Sequence, residues 1–237
     1  MATCYNLDKR ILYIHIPKCA GVSVSGSFNA DTNAWSDCWL NDAIGGFSRE
    51  GFPNGHIPLS YVERLTKVNP WEWDRIIAVI RNPFAQQRSV YQYHQARYAR
   101  ACQADVTSHN LDDKISQRLD FASWCRSMHS NGPNSICGSN WIDKGGVYRW
   151  WLTLEDGSIP PNVRIIHAET LESELHGVLP EGEFRPVPAV NQQEYGETLG
   201  EFYQANPGAE AAVREKFSWS LATHYAGFMF DKEIQTA

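Results

Sequence analysis

Three short runs of apolar, largely β-branched residues, each leading into a stretch of helical periodicity, restrict this chain more than any other feature. They are Ile11-Leu12-Tyr13-Ile14-His15-Ile16, Ile76-Ile77-Ala78-Val79-Ile80 and Val163-Arg164-Ile165-Ile166. The runs are continuous rather than alternating, as in parallel strands covered on both faces by helices. After the first, a helix is predicted from Val22 to Phe28. After the second, one is predicted from Phe84 to Arg100, with Pro83 near its first turn. After the third, Ala168 to Val178 sets Leu171, Leu175 and Val178 on one face. Strand-then-helix alternation defines an α/β chain with one parallel sheet.

Further helices are predicted around this frame. Ser60-Tyr61-Val62-Glu63 fits a capping box that opens a helix with Tyr61, Leu65 and Val68 as its stripe. Leu119 to Met128 forms another. Asn206-Pro207-Gly208 separates two helical stretches, the second carrying Val213, Phe217 and Leu221 at i, i+4 spacing. The C-terminal part is therefore helix-rich. The 237 residues suit a single domain spanning 1–237.

Composition excludes several classes of function. A net charge of −6 argues against a broad nucleic-acid surface. No run approaches the roughly 20 apolar residues of a membrane span, and residues 1–10 are polar, without a signal-peptide core. The expectation is a cytoplasmic protein with neither a nucleic-acid nor a membrane partner. Cys4, Cys19, Cys38, Cys102, Cys125 and Cys137 show neither C-x-x-C nor disulfide-framework spacing, so they read as free thiols and no metal site is expected.

In a parallel sheet, ligands bind beyond the carboxyl ends of the strands. After the first strand come Pro17-Lys18-Cys19-Ala20-Gly21-Val22-Ser23-Val24-Ser25. Backbone N–H groups at a helix start, the Lys18 ammonium and the hydroxyl of Ser23 or Ser25 would converge on one anion, with Gly21 admitting a close backbone approach. An ordinary strand-to-helix turn with a solvated lysine fits equally well. The order differs from G-x-x-x-x-G-K-[ST], in which Lys follows the last Gly beside a magnesium-binding hydroxyl. After the second strand, Arg81 offers a planar fork to a phosphate, and Ser89 lies two helical turns further on. Pairing of Arg81 with a carboxylate at the strand end is the plainer alternative.

These residues resemble those of a known family. His15-Ile16-Pro17-Lys18-x-Ala20-Gly21-x-Ser23 is similar to the H-I-P-K-T-[AG]-G-T-S signature of sulfotransferases that use 3′-phosphoadenosine 5′-phosphosulfate (PAPS), above all the carbohydrate 2-O-sulfotransferases and their bacterial relatives. Arg81-Asn82-Pro83 with Ser89-x-Tyr91 resembles the family's R-N-P-x-x-R-x-x-S-x-Y element. Gly55-His56 resembles the segment carrying its catalytic base. Ile165 to Leu171 looks like its strand and E-x-L stretch, and the Asn191 region and Phe228-Met229-Phe230 resemble its closing helices.

The resemblance implies a three-layer, P-loop nucleotide-kinase-like fold with PAPS lying across the strand ends. Lys18, Cys19, Ala20, Gly21, Val22 and Ser23 would hold the 5′-phosphosulfate; Arg81 and Ser89 would hold the 3′-phosphate. Cys19 and Val22 stand where the family has threonines, and Gln86 where it has a second arginine; Arg88, two residues on, would point elsewhere.

The implied chemistry is an in-line displacement resembling phosphoryl transfer, in which positioning and charge stabilisation do most of the work. Lys18 would meet charge growing on the bridging oxygen, and His56 would take the acceptor's proton. No metal is required. His15, within the first strand, reads as packed, and His94, on the helix after Ser89, is near enough in sequence to approach the cofactor but is not assigned to it. A thiol beside Lys18 near a helix start is either reactive or a quiet small side chain at Cys19.

Trp35, Trp39, Trp71, Trp73, Trp141, Trp150 and Trp151 either line a sugar or aromatic pocket or fill the core. The loop-rich stretch from Ala101 to Asn140 would gate an acceptor. That acceptor is expected to be a small molecule or carbohydrate with a free hydroxyl or amine; lipid, phenol and peptide stay open. Two alternatives are a non-catalytic nucleotide-binding relative of the same fold and an ATP-dependent small-molecule kinase.

Overall fold

The computed structural model describes residues 3–6, 10–27, 36–37, 56–66, 69–104, 111–131, 145–179 and 195–227. In chain order the elements are β1 (Cys4–Asn6), β2 (Ile11–Ile14), α1 (Gly21–Ser27), β3 (Ser36–Asp37), α2 (Leu59–Thr66), β4 (Arg75–Ile80), α3 (Pro83–Gln103), α4 (Leu111–Ser116), α5 (Phe121–Arg126), α6 (Val147–Leu152), β5 (Val163–His167), α7 (Leu171–Val178), α8 (Leu199–Gln204), α9 (Ala209–Lys216) and α10 (Ser218–Thr223). Short 3-10 turns precede β4 and α7 and follow α5. The chain divides into two compact units, Met1–Arg81 with Trp150–Glu194, and Asn82–Arg149 with Tyr195–Ala237.

The first unit holds the sheet, in the order β3-β1-β2-β4-β5. The three predicted strands are its parallel half: Ile14 pairs with Ala78, and Ile80 with His167. Every residue of β2 is at most 1% exposed and β4 is buried from Ile76 to Ile80, which accounts for their unbroken apolar composition. The expectation of a wholly parallel sheet is corrected at the other edge. There β1 runs antiparallel to β2, and β3 antiparallel to β1. Cys4–Asn6 is too short and too polar to be read as a strand, yet Cys4, Tyr5 and Asn6 are buried once paired. The first strand also ends at Ile14, before His15 and Ile16.

Loops of this unit are tied by long polar side chains. The Arg75 guanidinium donates to the Val178 carbonyl at the end of α7 (2.9 Å), where the helix dipole is negative. Asn162 donates through Nδ2 to the carbonyls of Pro70 and Trp73, joining the turn before β5 to the one before β4. The helix start expected at Ser60 is corrected: α2 begins at Leu59, so Ser60 lies inside the helix. Val68 lies outside the described residues.

The second unit is helical. Asn82 caps α3 by accepting from the Phe84 and Ala85 N–H groups (3.0 and 3.4 Å), and Pro83 occupies the first turn, where a missing N–H costs nothing. The Tyr203 hydroxyl donates to the Phe84 carbonyl (3.1 Å), and their rings meet edge to face. Phe121 joins Phe202 and Tyr203 in the same aromatic core. The helix predicted over Leu119 to Met128 is shorter, because Asp120 accepts from the Ser123 N–H (2.7 Å) and starts it later.

Gly208, at φ 85°, opens α9 where the Asn-Pro-Gly break was predicted. The last helix is interrupted at Phe217, so Val213 and Leu221 fall on separate helices. Within the stretch from Ala101 to Asn140, the described residues include α4, α5 and a 3-10 turn over Met128–Asn131. Residues 105–110 and 132–144, like Asn191 and Phe228 to Phe230, lie outside the described residues. Among the described residues no helix is long and apolar enough to cross a membrane.

Candidate functional site

The parallel pairing of β2 with β4 brings Lys18, four residues beyond one strand, and Arg81, directly beyond the other, to the same edge of the first unit. The Arg81 charge is felt at Lys18. Lys18 holds its proton less tightly than an ordinary lysine, first because it is partly buried and second because the Arg81 cation is near. Like charges placed together at strand ends attract anions, and their mutual repulsion falls when an anion joins them.

The loop carrying Lys18 is wound tightly. The Cys19 N–H reaches back to the Ile16 carbonyl (3.4 Å), and the Val24 N–H bonds the Ala20 carbonyl (3.0 Å) at the start of α1. Lys18 and Ala20 have φ of 61° and 58°, left-handed values that cost a non-glycine residue about 1 kcal/mol or more each. Packing must hold them there. Cys19 contributes to it, as its side chain is fully buried. Full burial favours the quiet reading of Cys19. The thiol is a small core group, and Cys102 is the exposed cysteine among those described.

Gly21 has a packing role that the sequence does not show. A Cβ there would fall 1.8 Å from Nε2 of His15 and 2.1 Å from its Cδ2. The missing side chain makes room for the imidazole of His15. Ser23 is nearly buried in α1, whereas Val22 is exposed. With only seven residues, α1 has a weak dipole, so attraction for an anion rests mainly on Lys18 and Arg81.

His56 belongs to the same unit. Its Nδ1 donates to the His15 carbonyl (3.0 Å), which leaves Nε2 as the nitrogen with a lone pair. The His15 and His56 rings lie 4.3 Å apart between centroids. Burial pushes the His56 pKa down to about 4, although the bond to His15 opposes this, so the ring is neutral at pH 7. Gly55, the other half of the predicted motif, lies outside the described residues.

Sequence reasoning missed Thr3. Its hydroxyl accepts from the N–H groups of His15 (3.1 Å) and Ile57 (3.2 Å) and donates to the Ile57 carbonyl (3.2 Å). A threonine 12 residues from one partner and 54 from the other leaves no local signal.

Ser89 belongs to the second unit, buried on α3. Gln86, in the place of an arginine, accepts from the Gln87 amide (2.7 Å), and Gln87 also donates to the Ser130 carbonyl (3.0 Å). Arg88 turns elsewhere, as expected. Its guanidinium donates to the Glu197 carbonyl (3.1 Å) and lies 3.6 Å over the Tyr195 ring. His94 is a core residue bonded through Nδ1 to Asp113 (2.7 Å). Trp73, Trp150 and Trp151 are buried and Trp71 is exposed, so the first three fill core; Trp35, Trp39 and Trp141 lie outside the described residues.

Fold and site define an α/β protein with two cations at neighbouring strand ends and a buried neutral histidine in the same unit. Comparison with protein-family models, with curated proteins and with solved structures found no match for this chain.

Proposed function

We propose that the chain is a sulfotransferase that moves a sulfuryl group from PAPS to a hydroxyl or amine of a small-molecule or carbohydrate acceptor, on a P-loop nucleotide-kinase-like domain spanning 1–237. The observation that carries this reading is the proximity of Lys18 and Arg81 beyond adjacent parallel strands, with the Arg81 charge felt at Lys18. A ligand with phosphates at both ends satisfies both cations at once. ATP with magnesium fits less well, because the lysine precedes the glycine of the loop and no G-K-[ST] follows.

In the proposed reaction the acceptor oxygen attacks sulfur while the bond from sulfur to the 5′-phosphate oxygen breaks. The electron pair leaves on 3′-phosphoadenosine 5′-phosphate, beside Lys18, and the acceptor's proton passes to Nε2 of His56. A histidine already neutral at pH 7 needs no prior deprotonation.

Thermal shift provides the test. The bisphosphate product should stabilise the protein by about 2.7 kcal/mol at a hundredfold excess over its Kd, and ATP with magnesium should do less. Lys18→Ala and Arg81→Ala should each abolish that shift. With PAPS and an acceptor panel, His56→Ala should lower turnover by about 10²–10⁴-fold while leaving nucleotide affinity intact. A larger shift with ATP and magnesium would point to a kinase. Bisphosphate binding without turnover would point to a non-catalytic relative, which the missing hydroxyls at Cys19 and Val22 favour.

A further inference from the structure

We infer that Thr3 is a positioning residue for His56, its hydroxyl pinning the segment that carries the imidazole to the end of β2 so that Nδ1 stays on the His15 carbonyl and Nε2 faces the proton to be taken. The inference rests on the sulfotransferase reading only for the destination of that proton; the clamp itself stands on geometry.

A threonine hydroxyl has one hydrogen to give and two lone pairs. Thr3 uses all three. It donates to the Ile57 carbonyl and accepts from the Ile57 and His15 N–H groups, at 3.1 to 3.2 Å and with no solvent exposure. One oxygen thus joins the His15 backbone to the backbone of Ile57, the residue after His56. The His15 residue that gives its N–H to Thr3 gives its carbonyl to His56 Nδ1, so both ends of the clamp meet on one residue.

The ring itself is held at its flank. His15 packs 4.3 Å from it, in the space that Gly21 leaves open at the start of α1. Thr3, His15, Gly21 and His56 therefore form one connected set between the Lys18 loop and the base. Without the hydroxyl, two buried N–H groups lose their acceptor, and the His56 segment is free to drift from the His15 carbonyl. A displacement of about 1 Å at a proton-transfer group costs on the order of a hundredfold in rate.

Nitrogen-detected NMR of the His56 ring and hydrogen exchange of the backbone test the clamp without any substrate. In the wild-type protein the neutral ring should carry its proton on Nδ1, and the His15 and Ile57 amides should be protected. A proton on Nε2, or fast exchange at both amides, would overturn the inference. Thr3→Val, which keeps the shape but not the oxygen, should mix the two tautomers and deprotect both amides; Thr3→Ser should match wild type.

In turnover with PAPS, Thr3→Val should lower kcat about tenfold or more with the KM for PAPS changed by no more than about twofold, and Thr3→Ser should restore it. Wild-type tautomer and exchange in Thr3→Val would refute the clamp. Should Thr3→Val fail to fold, the wild-type ring and the Thr3→Ser comparison still decide. Absence of turnover with the clamp intact counts against sulfotransfer alone, because the NMR arms need no reaction.

Discussion

A Cβ at position 21 would fall inside the His15 imidazole, and this makes Gly21 the position of the candidate site where sequence and structure assign different causes to one residue. Helix propensity alone favours alanine there by about 1 kcal/mol. The clash works the other way, because the imidazole is buried and packed on His56. Overpacking of this kind costs about 1–3 kcal/mol. Gly21→Ala is therefore expected to destabilise the protein by about 2 kcal/mol in denaturant unfolding. Adding His15→Ala should recover much of that loss, the coupling expected of residues in contact. If Gly21→Ala stabilises the chain, the imidazole does not occupy that space. The signature glycine is legible in the sequence, but its reason is not, because the atom it avoids is not part of the helix.

At the scale of elements, local chemistry accounts for where α3 begins. Asn82 accepts from two N–H groups that have no partner within the helix, and Pro83 follows with its angle already set. Asn82→Ala should cost about 1–2 kcal/mol, measured as a lowered denaturant midpoint with an unchanged slope. Asn82→Asp, which keeps an acceptor, should lose much less. The same local logic misplaces the start of α2, where Ser60 and Glu63 have capping-box spacing yet Leu59 is already helical. Three- and four-residue patterns read well when the helix end has its own cap. They fail when neighbouring chain decides the first turn.

For the whole molecule, buried histidines connect stability to pH. His56 titrates at about 4 because it is buried, and His94, in the helical unit, is also lowered, by burial first, against its bond to Asp113. An unfolded histidine takes its proton near pH 6.5. Between pH 6.5 and about 4 the unfolded chain binds a proton at position 56 that the folded chain refuses, so stability is full above this window and falls as pH drops through it. From pH 7.5 to pH 5 the loss due to His56 alone is about 2 kcal/mol. Equilibrium unfolding of wild type and His56→Asn across that range should show the wild type losing about this much more than the variant. Equal slopes would mean that His56 is exposed to water in the folded state.

The sequence by itself determined the parallel half of the sheet, the long helix after the second strand and the strand ends at which Lys18 and Arg81 stand. These follow from contiguous features: unbroken β-branched runs, a proline at the first turn of a helix, and a cation directly beyond a strand. Tertiary structure alone decided the antiparallel edge, the fit of His15 against Gly21 and the bonds from Thr3 to His15 and Ile57. Such contacts join residues up to 54 positions apart. Their energy appears only after the chain has closed those loops, and no periodicity or short motif records it.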